Sequence, residues 1–296
     1  MNETITVATD GSPSAEAAVR WAAREAVRSA DRLLVAHAIE TPIPAYSSYG
    51  AGAGAYQLDV PALQRAARQL LDAAVNAVRD AHPTLDVDGA LERGETGRVL
   101  VELAKDSRLL VVGTHEHHGP IADVILGSNA RYVLHHATTT VAVIPPPVGP
   151  DLDRNPTRIT VGVDGSSPAA QALEWAATEA QKWEAELDVI HCWDYPYVPL
   201  GASAYETQER IRLDAIHELD AIVDALHVSH PNLAAVRLER HVVNGSPSAV
   251  LLDAAARSDM LVVGTRGRGG FRMLLVGSAA QHVAQHSPCP VVVVRS

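Results

Sequence analysis

The sequence predicts an α/β protein built as two tandem domains, each a mostly parallel, doubly wound sheet. Three observations predict it. The chain repeats itself once, a proline-rich stretch separates the copies, and within each copy short apolar runs alternate with segments of helical periodicity.

The repeat is read first. Ile5-Thr6-Val7-Ala8-Thr9-Asp10-Gly11-Ser12 recurs 154 residues later as Ile159-Thr160-Val161-Gly162-Val163-Asp164-Gly165-Ser166, and the same offset carries Trp21 onto Trp175, Glu25 onto Glu179 and His37 onto His191. Leu109-Leu110-Val111-Val112-Gly113-Thr114 then matches Met260-Leu261-Val262-Val263-Gly264-Thr265, and Gly127-Ser128 matches Gly277-Ser278. A chain of 296 residues suits two such copies, each large enough to bury its own core. Pro145-Pro146-Pro147-Val148-Gly149-Pro150-Asp151 has linker composition, so the expected division is 1–145, a linker over 146–157, and 158–296.

In copy one the elements follow in order. Ile5 to Ala8 reads as a strand. Pro13 suits a first helical turn with Ser12 as its cap, and Ala15, Ala18, Val19, Ala22 and Ala26 continue at helical spacing. Leu33 to Ile39 is a second strand, Leu63 to Val78 a second helix, and Leu85 to Leu91 a third, weaker strand. Val99 to Ala104 is helical, Leu109 to Val112 a strand, Asn129 to His136 a helix and Val141 to Ile144 the fifth strand. Strand–helix alternation implies crossover connections and a parallel sheet, with ligands bound beyond the carboxyl ends of the strands.

Composition narrows the function. Lys plus Arg is 24 and Asp plus Glu 35, so the net charge of −11 argues against DNA or RNA as a partner. Two cysteines exclude a disulfide scaffold, the apolar runs are too short to span a bilayer, and no signal peptide is read, so a cytoplasmic protein is expected.

Two features fall at strand ends. One is Asp10 or Asp164, after the first strand of each copy. The other follows the fourth strand: Gly264-Thr265-Arg266-Gly267-Arg268-Gly269-Gly270-Phe271-Arg272, running on to Gly277-Ser278. Its glycines let backbone approach a ligand, its arginines suit phosphate oxygens, and Ser278 stands where the next helix begins, beside free N–H groups. The cradle has no Walker lysine.

Gly264-x-x-Gly267, nine residues, then Gly277-Ser278 resembles the nucleotide signature of the universal stress protein family, and the resemblance covers both copies. It implies a flavodoxin-like (Rossmann-like) five-stranded sheet of order 3-2-1-4-5, with ATP, and Mg2+ beside it, at the junction of strands one and four. Carried over to copy two, the site comprises Gly162, Val163, Asp164, Cys192, Val263, Gly264, Arg266, Gly267, Arg268, Gly277, Ser278 and Ala279. In copy one it comprises Ala8, Thr9, Asp10, Ala38, Val112, Gly113, Gly119, Gly127, Ser128 and Asn129. Copy one departs from the signature. Glu116 stands where copy two has Gly267, the Gly113–Gly127 spacing is one residue longer, and His115, His117 and His118 replace the arginines, so its site is expected to be the weaker.

Plainer readings stand beside these. Asp10 and Asp164 also suit a turn-forming role before Gly-Ser. The three histidines, with His135 or His136, have metal-ligand chemistry but read as a solvated loop, so no metal site is expected. His37 and His191 read as packed or hydrogen-bonded in the sheet. Gly50 to Ala55 mimics a dinucleotide fingerprint without opening a helix, and reads as a loop over about Thr41 to Val60 carrying Tyr46, Tyr49 and Tyr56; Tyr195 to Tyr205 is its counterpart.

The resemblance implies a nucleotide-binding regulator in stress response or dormancy, with slow ATP hydrolysis at most, since no general base or lysine faces the cradle. A nucleotide-independent interaction scaffold, or a weak ATP hydrolase, is the alternative. The family pairs through its last strand, so Val141–Ile144 and Val291–Val294 are expected to pair within the chain as a pseudo-dimer, with further homodimerisation and an unidentified protein partner beyond it.

Overall fold

The computed structural model describes residues 3–40, 59–116, 124–146, 154–194, 202–267 and 276–295, with the backbone alone at 115–116, 124–125 and 202–205. In the first half these form β1 (Thr4–Ala8), α1 (Pro13–Ser29), β2 (Arg32–Ile39), α2 (Val60–Ala81), β3 (Val87–Arg93), α3 (Thr96–Leu103) and β4 (Leu109–Gly113). A two-residue pair, β5 (His115–Glu116) and β6 (Val124–Ile125), precedes α4 (Ser128–His136) and β7 (Thr140–Ile144). The second half repeats the plan. It comprises β8 (Arg158–Val163), α5 (Ser167–Trp183), β9 (Glu186–Trp193), α6 (Ala202–Ser229), β10 (Leu238–Asn244), α7 (Pro247–Ala255), β11 (Met260–Gly264), α8 (Ser278–His286) and β12 (Val291–Val294).

Local chemistry sets the first helix of each half. Ser12 Oγ accepts from the Ala15 amide at 3.2 Å, and Ser166 Oγ from that of Ala169 at 3.4 Å, each before a proline in the first turn. Both helices end on a left-handed residue, Ala30 and Glu184, each at φ 56°. Their sheet-facing positions are mostly alanine: Ala18, Ala22, Ala26, Ala172 and Ala176 are fully buried, so the helix axes lie close on the strands.

Ten strands form one sheet, in the order β10-β9-β8-β11-β12-β7-β4-β1-β2-β3. Counted by the five principal strands of each half, both read 3-2-1-4-5, and every pairing among those five is parallel. The halves join through their last strands, which pair antiparallel with Val291 opposite Val143 and Val293 opposite Val141. Strands buried on both faces carry continuous apolar runs. Ile5, Val7, Leu33 and Val35 pack under α1 and α2, while Leu110, Val112, Val141 and Val143 belong to the opposite layer with Leu100, Val133 and Leu134. Each fully buried Leu, Ile or Val contributes about 1.5–3 kcal/mol, and both layers run unbroken across the junction.

Several expectations are corrected. The second helix runs from Val60 to Ala81, wider than Leu63 to Val78, because apolar periodicity marks only its buried stripe. The third strand is shifted to Val87–Arg93: Leu85 lies in a turn, its amide donating to the His82 carbonyl at 3.0 Å, and packs on the core from there. The third helix starts at Thr96 rather than Val99. The loop expected over Tyr195 to Tyr205 is helical from Ala202, where α6 begins. The glycine-rich stretch with Tyr46, Tyr49 and Tyr56 lies outside the described residues.

Candidate functional site

The 3-2-1-4-5 order sets the carboxyl ends of β8 and β11 side by side. There Asp164 Oδ1 accepts from the Ser166 amide at 3.0 Å and its hydroxyl at 2.6 Å, and Ser166 Oγ lies 3.3 Å from the Arg266 carbonyl. The turn-forming role of Asp164 is therefore real, and it ties the end of strand one to the loop after strand four. Gly165 at φ 74° supplies the left-handed turn between them.

The glycines of the signature are explained by approach distances. A Cβ on Gly264 would sit 2.7 Å from the backbone carbonyl of Pro168 in the first turn of α5. A Cβ on Gly267 would overlap Asp164 Oδ2, so the second carboxylate oxygen faces the Gly267 backbone. The Gly277 amide donates to the Thr265 carbonyl at 2.7 Å and closes the base of the loop. Ser278 opens α8, no side chain among the described residues caps that helix, and Ser278, Ala279 and Ala280 of its first turn line the cavity.

These groups surround a cavity of about 330 Å³. It brings together Gly162, Val163, Asp164, Cys192, Val263, Gly264, Arg266, Gly267, Gly277, Ser278 and Ala279; Arg268 lies outside the described residues. Sequence reasoning missed its apolar wall, formed by Ile190 of β9 with Pro247 and Leu251 of α7. No motif marks α7; only the packing of the helix after strand three brings it here.

The first half has an equivalent cavity of about 470 Å³, lined by Ala8, Thr9, Asp10, Ala38, Val112, Gly113, Gly127, Ser128 and Asn129. Asp10 Oδ1 accepts from the Ser12 amide at 2.9 Å, and a Cβ on Gly113 would meet the Ser14 carbonyl at 2.8 Å. Thr96 and Leu100 of α3 replace Pro247 and Leu251. Gly119, His117 and His118 lie outside the described residues, and Glu116 contributes backbone to β5. Arg131, on α4 where α8 has Gln281, also lines this cavity. His37 and His191 are hydrogen-bonded in the sheet as expected, to the carbonyls of Thr9 at 2.7 Å and Val163 at 3.0 Å. Burial pushes the Cys192 thiol up to about 11, so it is protonated at neutral pH.

The profile of the universal stress protein family matches residues 1–145 and again 156–295. The chain belongs to the universal stress protein family. A universal stress protein of Mycolicibacterium smegmatis is 31% identical over 301 residues, covering 98% of this chain and 96% of that one. Universal stress protein Rv2623 of Mycobacterium tuberculosis is 31% identical over 306 residues, with the same coverage. Among solved structures, a universal stress protein from Archaeoglobus fulgidus superposes with a TM-score of 0.67 at 16% identity, over 99% of this chain and 96% of that one. The tandem universal stress protein architecture thus spans the whole chain. No helix among the described residues is long and apolar enough to cross a membrane.

Proposed function

We propose that this tandem universal stress protein binds ATP, with Mg2+, and acts as a nucleotide-responsive regulator in stress response or dormancy rather than as an efficient enzyme. One observation carries the reading: every described residue of the carried-over signature in the second half lines a single cavity at the switch point of the sheet. The residues fit the nucleotide. The wall of Ile190, Cys192 and Leu251 suits a flat base. Gly264, Gly267 and the uncapped start of α8 suit phosphates, and Arg266 adds a positive charge. Asp164 suits a ribose hydroxyl or a hydrated Mg2+. Bound there, the nucleotide would bias the loops that follow strands two and four, and partners would read that bias.

The second-half site is the stronger of the two in this proposal, because the first half lacks both the Gly267 equivalent and the loop arginines. The test is the nucleotide content of the protein as purified, followed by ATP–Mg2+ titration by calorimetry. About one tight site per chain is expected, lost in Asp164→Ala and Gly267→Glu. Two equal sites would remove the asymmetry. No nucleotide, and no uptake, would leave the scaffold reading.

A further inference from the structure

We propose that the second half carries a site for a zinc-class divalent ion at its outer edge, built from Asp188 of β9 with Glu239 and His241 of β10. His241 Nε2 lies 3.3 Å from Asp188 Oδ1 and 3.7 Å from Glu239 Oε2, and the three ligand atoms all fall within 4.8 Å of one another. Tetrahedral zinc, with bonds of about 2.0–2.2 Å, holds its ligand atoms about 3.3–3.6 Å apart. Both separations from the imidazole are near that spacing, and one imidazole with two carboxylates supplies three zinc ligands and leaves a fourth position open. Sequence spacing hides the set because its members come from neighbouring strands, with Glu239 in register with Asp188.

Two further observations support it. Arg158 Nη1 holds Asp188 Oδ2 at 2.9 Å, which turns Oδ1 toward His241, an orientation of a ligand by its outer partner. Arg158 is shared, since its Nη2 also pairs with Glu186 at 2.9 Å, and Arg237 reaches the same Glu186 at 3.7 Å. Three carboxylates, Glu186, Asp188 and Glu239, thus face two guanidiniums. The repeat supplies an internal contrast. Leu33 pairs with Val87 as Leu187 pairs with Leu238, so the first half has Leu34, Asp88 and Ala90 at the three positions. The second half thus has a buried carboxylate, 8% exposed, where the first has a leucine, and an imidazole where the first has an alanine. The site is separate from the nucleotide cavity: Asp188 stands four residues before Cys192 on β9, about 13 Å away, and none of the three lines that cavity.

The experiment is calorimetric titration of the full chain with zinc chloride in chelator-free buffer, repeated with cobalt(II) to read the visible absorption of a low-coordinate ion. His241→Ala and Glu239→Gln are the variants. Both residues are partly exposed and at the sheet edge, and circular dichroism checks the fold of each. One equivalent of zinc is expected. His241→Ala should weaken it by more than about 100-fold, beyond the 10–100-fold typical of losing an outer partner. Glu239→Gln should weaken it less while shifting the cobalt spectrum. Absence of zinc binding overturns the proposal. So does binding unchanged in both variants, which would assign the ion to other histidines such as His282 and His286.

Discussion

Glu25 and Glu179 occupy the same position of the repeat, and they meet at one guanidinium: Arg108 Nη2 lies 3.0 Å from Glu25 Oε1 and its Nη1 3.4 Å from Glu179 Oε1. Each glutamate is 1% exposed. Arg108 also reaches Asp31 at 2.9 Å, and Lys182 reaches Glu179 at 2.8 Å and Ser29 at 3.2 Å. The second half has no arginine to match Arg108: its counterpart is Asp259, which instead accepts from the Thr157 and Arg158 amides. The chain is therefore symmetric in its glutamates and asymmetric in what neutralises them. This cluster joins α1 to α5 beside the β7–β12 seam.

Arg108→Ala should destabilise the chain by about 3–5 kcal/mol, because it takes the guanidinium from the buried Glu25 and Asp31 and leaves Glu179 with Lys182 alone, rather than deleting an exposed pair. Urea unfolding of the full chain measures it. A loss below about 1 kcal/mol would show that the cluster is solvated and the junction rests on apolar packing alone.

Stability should fall as pH rises through the neutral range. Burial, and then the Glu25 charge, push the Glu179 carboxyl from 4.5 to about 8. An acid raised on folding stabilises fully below its unfolded value, and that contribution is lost as pH climbs to the folded value. The expected slope from this group is about −1.4 kcal/mol per pH unit between those limits. Glu179→Gln, neutral throughout, should remove it; parallel slopes for the two proteins between pH 5.5 and 7.5 would refute the assignment.

The two signature glycines should fail differently. Gly264→Ala places a methyl against fixed backbone of α5, so a loss of roughly 1–3 kcal/mol of stability is expected. Among the described residues Gly267→Ala meets the Asp164 side chain rather than backbone, and a side chain can shift, so stability should hold while ATP affinity drops. Thermal melts with and without ATP–Mg2+ separate the two, and equal effects of both variants on the ligand-free melt would count against this account.

Cys192 should report on occupancy. It is partly exposed and lines the second cavity, whereas Cys289 is buried, with its thiol pushed up to about 12. A maleimide should label one thiol per chain, slowly at pH 7 and faster as pH rises. ATP–Mg2+ should slow that labelling several-fold. Labelling indifferent to ATP would place the nucleotide elsewhere or nowhere.

Much of this was legible beforehand because it is local. A repeated Asp-Gly-Ser turn, a proline in the first helical turn and an apolar run followed by Gly-Thr depend on residues a few positions apart, and the duplication showed each twice. Where the reading slipped, burial was uneven. Both ends of α2 are solvated, Val60 at its start being about two-fifths exposed and Arg79 to Ala81 exposed at its end, so the apolar stripe understates the helix. Leu85 is apolar yet sits in a turn, which drew the third strand two residues early.

The sequence by itself determined the duplication, the alternation of strand and helix, and the residues at the ends of strands one and four. Only the tertiary structure decided what gathers around them. Leu251 and Pro247 reach the cavity because α7 crosses it, and Arg131 because α4 begins at its rim. Glu25, Arg108 and Glu179 meet because β7 and β12 pair antiparallel, bringing α1 and α5 together. Contacts between residues tens of positions apart are set by strand order and helix packing, and periodicity along the chain records neither.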